Sequence, residues 1–130
     1  MKNVEDMVAA ANAEVESLSA EEAIALHGAD GVTFVDIRDV RELWRDGAVP
    51  GAFHCPRGML EFWIDPESEY AKPQFAAPHR FVFFCAGGKR SALAAKTAQD
   101  MGLRPVAHVD SGFRGWQEAG GPVVKKERRR

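Results

Sequence analysis

Apolar residues along the chain follow two spacings, and the two alternate from one end to the other. Short runs rich in β-branched and aromatic residues predict strands at 32–37, 52–55, 80–85 and 106–109. Apolar residues three or four positions apart predict helices at 4–18, 19–28, 39–47, 91–101 and 113–119. Strands that alternate with helices are typical of an α/β domain, with a parallel sheet and right-handed crossovers.

Polar residues at the predicted helix starts are of the kinds that cap free backbone N–H groups. Asn3 precedes the first helix, and Ser19 with Glu22 has the spacing of a reciprocal capping box. Asp39 with Glu42 repeats that spacing at the third helix. The stretch 15–18 fits either the end of the first helix or a short strand.

The segment 58–78 has no clear period. GMLEFWID predicts a short helix, and PESEYAKPQFAAP predicts a proline-rich loop. Two roles are open for this segment: a lid or rim beside a pocket, or a surface loop that closes the molecule.

The run RFVFFC, residues 80–85, is the strongest strand pattern, and it predicts a strand covered on both faces of a parallel sheet. Ligands bind such sheets at the carboxyl ends of the strands, which is where Cys85 falls. A loop with two glycines, followed by two cations and a helix start, forms a cradle for an anion and favours a thiolate. We therefore expect Cys85 to be the nucleophile. The residues expected to bind an anionic substrate, or a sulfur atom on the cysteine, are Ala86, Gly87, Gly88, Lys89, Arg90 and Ser91.

Two other interpretations of this segment are weaker. An inert buried cysteine at a strand end explains Cys85 alone, but not the glycines, cations and helix start that follow it. A nucleotide-binding P-loop needs a glycine where Phe83 stands and a serine or threonine where Arg90 stands.

Composition and charge narrow the function classes. The chain has 130 residues, 45% of them apolar and 28% charged, as expected for one globular domain. Five of the last six residues are basic, whereas acidic residues outnumber basic ones by six in the preceding 124. We expect no nucleic-acid surface on the domain and a solvated basic tail at 125–130. No apolar run is long enough for a membrane span and no secretory signal is evident, so a cytoplasmic location is expected.

The other reactive residue types have ordinary explanations. Two cysteines are too few for a disulfide framework, and Cys55 is expected to be a small core residue rather than a resolving thiol. The four histidines have no metal-ligand spacing, and we assign none of them as a general base. The three tryptophans are expected to pack in the core, with Trp63 the one candidate to face a substrate.

Four segments in order resemble conserved blocks of the rhodanese-like sulfurtransferase family. They are VDIRDVREL (35–43), GAVPGAFHCP (47–56), CAGGKRS (85–91) and SGFRGWQEAGGPV (111–123). The resemblance extends from about residue 18 to residue 124. It divides the chain into an N-terminal helical extension (1–17), the domain (18–124) and the tail (125–130).

The resemblance implies a single α/β domain with a central five-stranded parallel sheet flanked by helices on both faces. It also implies a persulfide intermediate on Cys85 and no metal or organic cofactor. Asp36, Arg38 and Glu42 match the first block. We expect Asp36 and Arg38 to support the loop without taking part in the chemistry, whereas helix capping alone is enough to explain Glu42. Ala48 stands where the family often has histidine, and the segment 58–78 is longer than in minimal members.

Loop length separates the chemistries that the rhodanese fold and its phosphatase relatives share. Those phosphatases place five residues between cysteine and arginine, whereas four separate Cys85 from Arg90. The tighter ring suits sulfur better than phosphate, with the Arg90 guanidinium expected to hold the oxygens of the donor. The expected function is transfer of a sulfane sulfur from a donor such as thiosulfate to cyanide, a thiol or a protein. The alternatives are a persulfide-carrying or anion-binding module that docks on a partner and, less favoured, a phosphatase or arsenate reductase.

Overall fold

The computed structural model describes residues 1–128 and has a parallel sheet at its centre. Its strands are β1 (Glu16–Leu18), β2 (Val32–Asp36), β3 (Phe53–His54), β4 (Arg80–Phe84) and β5 (Val106–Val109). The strand order is β1-β5-β4-β2-β3, and every pair is parallel. The predicted α/β fold with a five-stranded parallel sheet is confirmed, and β4 lies in the middle of it.

Residues 1–128 also form six α-helices, of which the first precedes the sheet, the last follows it and the others lie between strands. They are α1 (Val4–Glu14), α2 (Ala20–Leu26), α3 (Val40–Asp46), α4 (Leu60–Ile64), α5 (Lys89–Asp100) and α6 (Gly112–Glu118). Short 3₁₀ turns occupy Arg57–Met59 and Pro73–Ala76. Asn3 caps α1, and both predicted capping boxes form, Ser19 with Glu22 and Asp39 with Glu42.

Residues 16–18 form a short strand rather than the end of the first helix. α1 ends at Glu14, and β1 then pairs with β5 along Glu16–Leu18. Val15 and Leu18 are three positions apart in extended chain, so they enter the cores on opposite faces of the sheet. β1 therefore crosses the boundary predicted at residue 18.

Helices cover both faces of the sheet. One core cluster contains sheet residues such as Phe81 and Phe83 together with Ala94, Ala95 and Ala98 of α5. The other contains Val82 and Phe84 with Phe113 and Trp116 of α6. Side chains of β4 alternate between the two clusters, as the pleat of a strand requires.

The N- and C-terminal segments also contact the domain. α1 packs on α5, where Val8, Ala11 and Ala92 form a small apolar cluster. Ala48 and Val124 form an isolated antiparallel bridge. In the tail, the Arg128 guanidinium lies 5.2 Å from the Trp44 ring centroid, and residues 129 and 130 are outside the described part. No helix among residues 1–128 combines the length and hydrophobicity that crossing a bilayer requires.

Candidate active site

Cys85 lies immediately after β4, at the carboxyl edge of the sheet. The Gly88 N–H donates to Cys85 Sγ at 3.1 Å, and the Ser91 N–H donates to it at 3.4 Å. The Ser91 Oγ lies 3.6 Å from the same sulfur. Hydrogen bonds from N–H groups and the start of α5 both favour negative charge on the sulfur.

The helix after the loop begins earlier than the sequence pattern predicts. α5 starts at Lys89, not at Ser91, so both cations lie in its first turn. Gly88 precedes it with φ 105°, and a Cβ there would collide with the carbonyl oxygen of Asp110. Glycine is therefore required at position 88 both by its backbone conformation and by its close neighbour.

The start of α6 holds the loop from the other side. The Phe113 N–H donates to the Cys85 carbonyl at 2.8 Å, and the Arg114 N–H donates to the Ala86 carbonyl at 3.1 Å. Gly112 permits this approach, because a Cβ there would lie 2.7 Å from the Cys85 carbonyl oxygen. The loop backbone is thus fixed by two helices.

Cys85 opens into a cavity of about 290 Å³. The side chains and backbone that line it belong to Cys85, Gly87, Lys89, Arg90 and Arg114. Cys85 itself is only 1% exposed, so reagents reach its sulfur through this opening. The cavity falls at the lower end of the size range of small-molecule sites, about 300–1,000 Å³, and suits a small anion.

Two of the three cations at this cavity are already paired. Glu42 accepts hydrogen bonds from both terminal nitrogens of Arg90, at 2.9 and 3.0 Å. Its hydrogen bond to Arg90 lowers the pKa of Glu42 below the ordinary glutamate value. Lys89 pairs with Glu5 of α1 at 2.8 Å, and both of these side chains are largely exposed. Arg114 forms no ion pair with any residue among 1–128.

This pairing differs from the sequence-based expectation for Arg90. The expected role was to hold the oxygens of an anionic donor, but the two terminal nitrogens are bonded to Glu42, which leaves the Nε edge of the guanidinium for that role. The spacing of Asp39 and Glu42 predicts the capping role of Glu42 but not its contact with Arg90, 48 positions away. No local pattern distinguishes Arg114, which lies in the SGFRGWQEAGGPV block at the position facing Gly87.

Asp36 and Arg38 form a buried ion pair below the site. Arg38 donates through Nε and Nη2 to the Asp36 carboxylate, and through Nη2 to the Gly47 carbonyl. Among the described residues, neither side chain bonds to the loop 85–91. The Arg38 guanidinium lies 4.2 Å from the ring centroid of Phe113, whose N–H holds the Cys85 carbonyl. Their link to the loop therefore runs through packing on Phe113.

Cys55 is buried on the same side of the sheet and differs from Cys85. Burial raises the pKa of the Cys55 thiol to about 12. The nearest hydrogen-bond partner of its sulfur is the Pro56 carbonyl, at 3.9 Å. Such a thiol stays protonated at neutral pH and is a poor nucleophile.

Of the four histidines, the structure brings His108 close to the loop. Its Nδ1 lies 3.0 Å from Ser91 Oγ, which in turn contacts the Cys85 sulfur. His27 and His54 bond to the backbone carbonyls of Pro50 and Arg38, and His79 bonds to Thr33. No pattern in the sequence pointed to His108, because the contact depends on β5 lying beside β4.

The segment 58–78 contributes no residue to the lining of the Cys85 cavity. Residues between 64 and 76 line a separate cavity of about 640 Å³ with Met101–Leu103, beyond the end of α5. The cysteine loop is at the other end of that helix, about 17 Å away at 1.5 Å per residue. Trp63 packs on Phe53, with Lys72 over its ring. The position fits a surface loop that closes the molecule.

Solved structures and curated proteins similar to this chain have more than one described role. One solved structure, from Rhodopseudomonas palustris, is described as a protein of unknown function and possible tyrosine phosphatase. It is 60% identical to this chain with a TM-score of 0.94. The match covers 95% of this chain and 96% of that one. A thiosulfate sulfurtransferase from Pseudomonas aeruginosa is 26% identical with a TM-score of 0.73, covering 97% of this chain and 23% of that one.

Two curated relatives are each 26% identical. One is the mouse thiosulfate sulfurtransferase/rhodanese-like domain-containing protein 3, matched over 65% of this chain and 57% of that protein. The other is the putative sulfur carrier protein YrkF of Bacillus subtilis, matched over 67% and 42%. This chain thus spans about half the length of the curated relatives it matches. The family model for the rhodanese-like domain matches residues 19–119, most of the chain. The protein belongs to the rhodanese-like domain family.

Proposed function

We propose that this protein is a sulfurtransferase that carries a sulfane sulfur as a persulfide on Cys85. The observation that carries the proposal is the pair of N–H groups, from Gly88 and Ser91, that donate to Cys85 Sγ at the floor of a cationic cavity. Such an arrangement stabilises a thiolate before transfer.

The first half-reaction fits a small dianionic donor such as thiosulfate. The Cys85 thiolate attacks the sulfane sulfur, a sulfur–sulfur bond forms, and sulfite leaves with the electron pair of the broken bond. Arg114 and Lys89 at the cavity mouth attract the donor. The exposed pair between Lys89 and Glu5 costs about 1 kcal/mol or less to separate, so Lys89 can turn to the donor.

The second half-reaction returns the cysteine to its starting state. A nucleophilic acceptor, such as a thiol, cyanide or a cysteine of another protein, attacks the outer sulfur of the persulfide, and the Cys85 thiolate leaves. No metal or organic cofactor is needed for either half-reaction.

Ring length favours sulfur transfer over phosphoryl transfer in the same cavity. The six-residue ring from Cys85 to Arg90 leaves less room for a phosphoryl group. Glu42 also holds the two terminal nitrogens of Arg90, which leaves the Nε edge of the guanidinium for an anion.

Intact-protein mass spectrometry after incubation with thiosulfate tests the proposal. We expect the parent and Cys55→Ser to gain one sulfur atom, and Cys85→Ser to gain none. Rapid transfer to cyanide identifies an enzyme with small-molecule turnover, whereas a persulfide that is discharged only by a protein thiol identifies a sulfur carrier. Absence of any sulfur adduct, together with hydrolysis of an aryl phosphate, would overturn the proposal.

A further inference from the structure

A buried chain of hydrogen-bonding side chains runs from Cys85 to the N-terminal helix. Ser91 Oγ lies 3.6 Å from Cys85 Sγ and 3.0 Å from His108 Nδ1. His108 Nε2 lies 2.8 Å from the side-chain oxygen of Asn12, on α1, and 3.3 Å from Ser17 Oγ. Ser91 and His108 are 0% and 1% exposed.

The partners of His108 define which nitrogen carries its hydrogen. The Asn12 side-chain oxygen can only accept, so the hydrogen lies on Nε2 and is donated to Asn12, while the Ser17 hydroxyl is free to act in either role. Nδ1 is then an acceptor, and the Ser91 hydroxyl can donate to it. The same hydroxyl also lies 3.2 Å from the Gly88 carbonyl, which gives it a second acceptor once Nδ1 is protonated.

Burial lowers the pKa of His108, and Asp110, at the end of β5, opposes this effect. The groups that face the imidazole from the other elements are uncharged. They are Asn12 of α1, Ser17 of β1 and Ser91 of α5. The remaining titratable group in the chain of contacts is the Cys85 thiol, after β4. The resting imidazole is therefore held by uncharged partners, and its unprotonated Nδ1 faces the Ser91 hydroxyl, where it can accept a proton.

We propose that His108 is a positioning residue for Cys85, and that it takes up the thiol proton through the Ser91 hydroxyl when the nucleophilic thiolate forms. The S–H bond of Cys85 and the O–H bond of Ser91 break, while a new O–H bond forms at Ser91 and an N–H bond forms at His108 Nδ1. No electrons or net charge leave the site. The products are a thiolate and an imidazolium, separated by one hydroxyl group.

This proposal rests on the proposed function only in taking Cys85 as the nucleophile. It also gives α1, which precedes the matched region 19–119, a link to the site. The Gly88 and Ser91 N–H groups already stabilise the thiolate. The His108 imidazolium adds a nearby positive charge, which appears only when the Cys85 thiol ionises.

The test is the pH profile of Cys85 alkylation by iodoacetamide, measured by peptide mapping. Asn12→Asp places a carboxylate beside Nε2 and should stabilise the imidazolium, so we expect alkylation at pH 6 to become about three- to tenfold faster, a shift of up to about one pH unit. Ala13→Asp adds the same charge to the neighbouring exposed position of α1 and should change the rate less than about twofold. His108→Gln should shift the profile to higher pH and slow alkylation at pH 6 about tenfold.

Equal rates for Asn12→Asp and Ala13→Asp would overturn the proposal. If His108→Gln fails to fold, as judged by circular dichroism, the comparison of the two exposed aspartate variants decides alone. The sulfur adduct with thiosulfate is measured on the same samples. A shifted alkylation profile without any sulfur adduct would reject the sulfurtransferase function but support the role of His108. A sulfur adduct with unshifted alkylation profiles would support the sulfurtransferase function and reject the role of His108.

Discussion

Glu42 binds Arg90 through both oxygens of its carboxylate, and this contact joins the first turn of α3 to the first turn of α5. The same carboxylate accepts a hydrogen bond from the Asp39 N–H at 2.9 Å, as the third residue of the capping box. One side chain therefore caps a helix and fixes the orientation of the Arg90 guanidinium beside the cavity.

Glu42→Gln keeps a capping side chain while it removes the charge that holds Arg90. We expect the released terminal nitrogens of Arg90 to turn toward the cavity and to strengthen inhibition of sulfur transfer by inorganic phosphate about three- to tenfold. The gain corresponds to roughly 1 kcal/mol, the size of one partly exposed ionic contact. Inhibition constants measured with parent and variant check this. Unchanged inhibition would show that Arg90 stays in place without Glu42.

The same variant alters the pH dependence of stability. Arg90 lowers the pKa of Glu42 in the folded protein. The pair therefore stabilises the fold above the unfolded glutamate pKa, about 4.3, and this contribution is lost as the pH falls through the folded value. Because Arg90 is 44% exposed, we expect about 1 kcal/mol or less. Urea unfolding at pH 7 and pH 3.5 should show a smaller pH effect in Glu42→Gln than in the parent.

The two cysteines should differ strongly in reactivity. Burial raises the pKa of Cys55 to about 12, whereas Cys85 receives two N–H hydrogen bonds and faces a cationic cavity. We expect iodoacetamide at pH 6–7 to label Cys85 and leave Cys55 unmodified until the protein is unfolded. Peptide mapping of native and urea-unfolded samples gives the measurement. Comparable labelling of both thiols in the native protein would contradict the assignment of the nucleophile.

Gly88→Ala should be far more costly than Gly87→Ala. A Cβ at position 88 meets the Asp110 carbonyl oxygen in a backbone with φ 105°, whereas a Cβ at position 87 has its nearest neighbour, Arg114 Nη1, 4.0 Å away. Strain and overpacking each cost about 1–3 kcal/mol, so we expect Gly88→Ala to lose about 2–6 kcal/mol. Thermal unfolding of the two variants provides the comparison. A similar Tm for both would mean that the loop adapts freely.

Arg114→Ala should weaken donor binding more than turnover. Arg114 lines the cavity and has no ionic partner among residues 1–128, so it can meet the charge of the donor. We expect KM for thiosulfate to rise about three- to tenfold, with kcat changed less than about twofold. Arg104→Ala is the matched control, since Arg104 is also exposed and precedes β5 at the opposite edge of the sheet. An equal rise of KM in both variants would indicate a general effect of net charge.

Inserting one glycine between Gly88 and Lys89 should weaken sulfur transfer. The insertion moves the Ser91 N–H away from Cys85 Sγ, to which it now donates at 3.4 Å. One charge-assisted hydrogen bond is worth roughly 1.5–3 kcal/mol, so transfer should fall about ten- to a hundredfold. Hydrolysis of an aryl phosphate, assayed on the same samples, should improve in the wider ring. Full transfer activity in a folded insertion variant would show that ring length does not control the chemistry.

The sequence alone determined the parts of this protein that depend on local pattern. Capping boxes at Ser19 and Asp39 and the apolar run before Cys85 are local signals, because a few neighbouring residues decide the conformation there. The order of strand, cysteine, glycines and cations likewise placed the candidate nucleophile at the carboxyl edge of the sheet. Each of these predictions needed no knowledge of distant contacts.

Tertiary structure decided what depends on residues far apart in the chain. Glu16–Leu18 is a strand because β5 offers it hydrogen bonds about 90 residues later, although the apolar spacing also fitted a helix. Glu42 meets Arg90, and His108 meets Ser91, only because parallel strands bring their carboxyl ends to one edge. Hydrophobic periodicity predicts which face of an element is buried. It does not predict which side chain of another element lies against that face, because that depends on how the whole sheet packs.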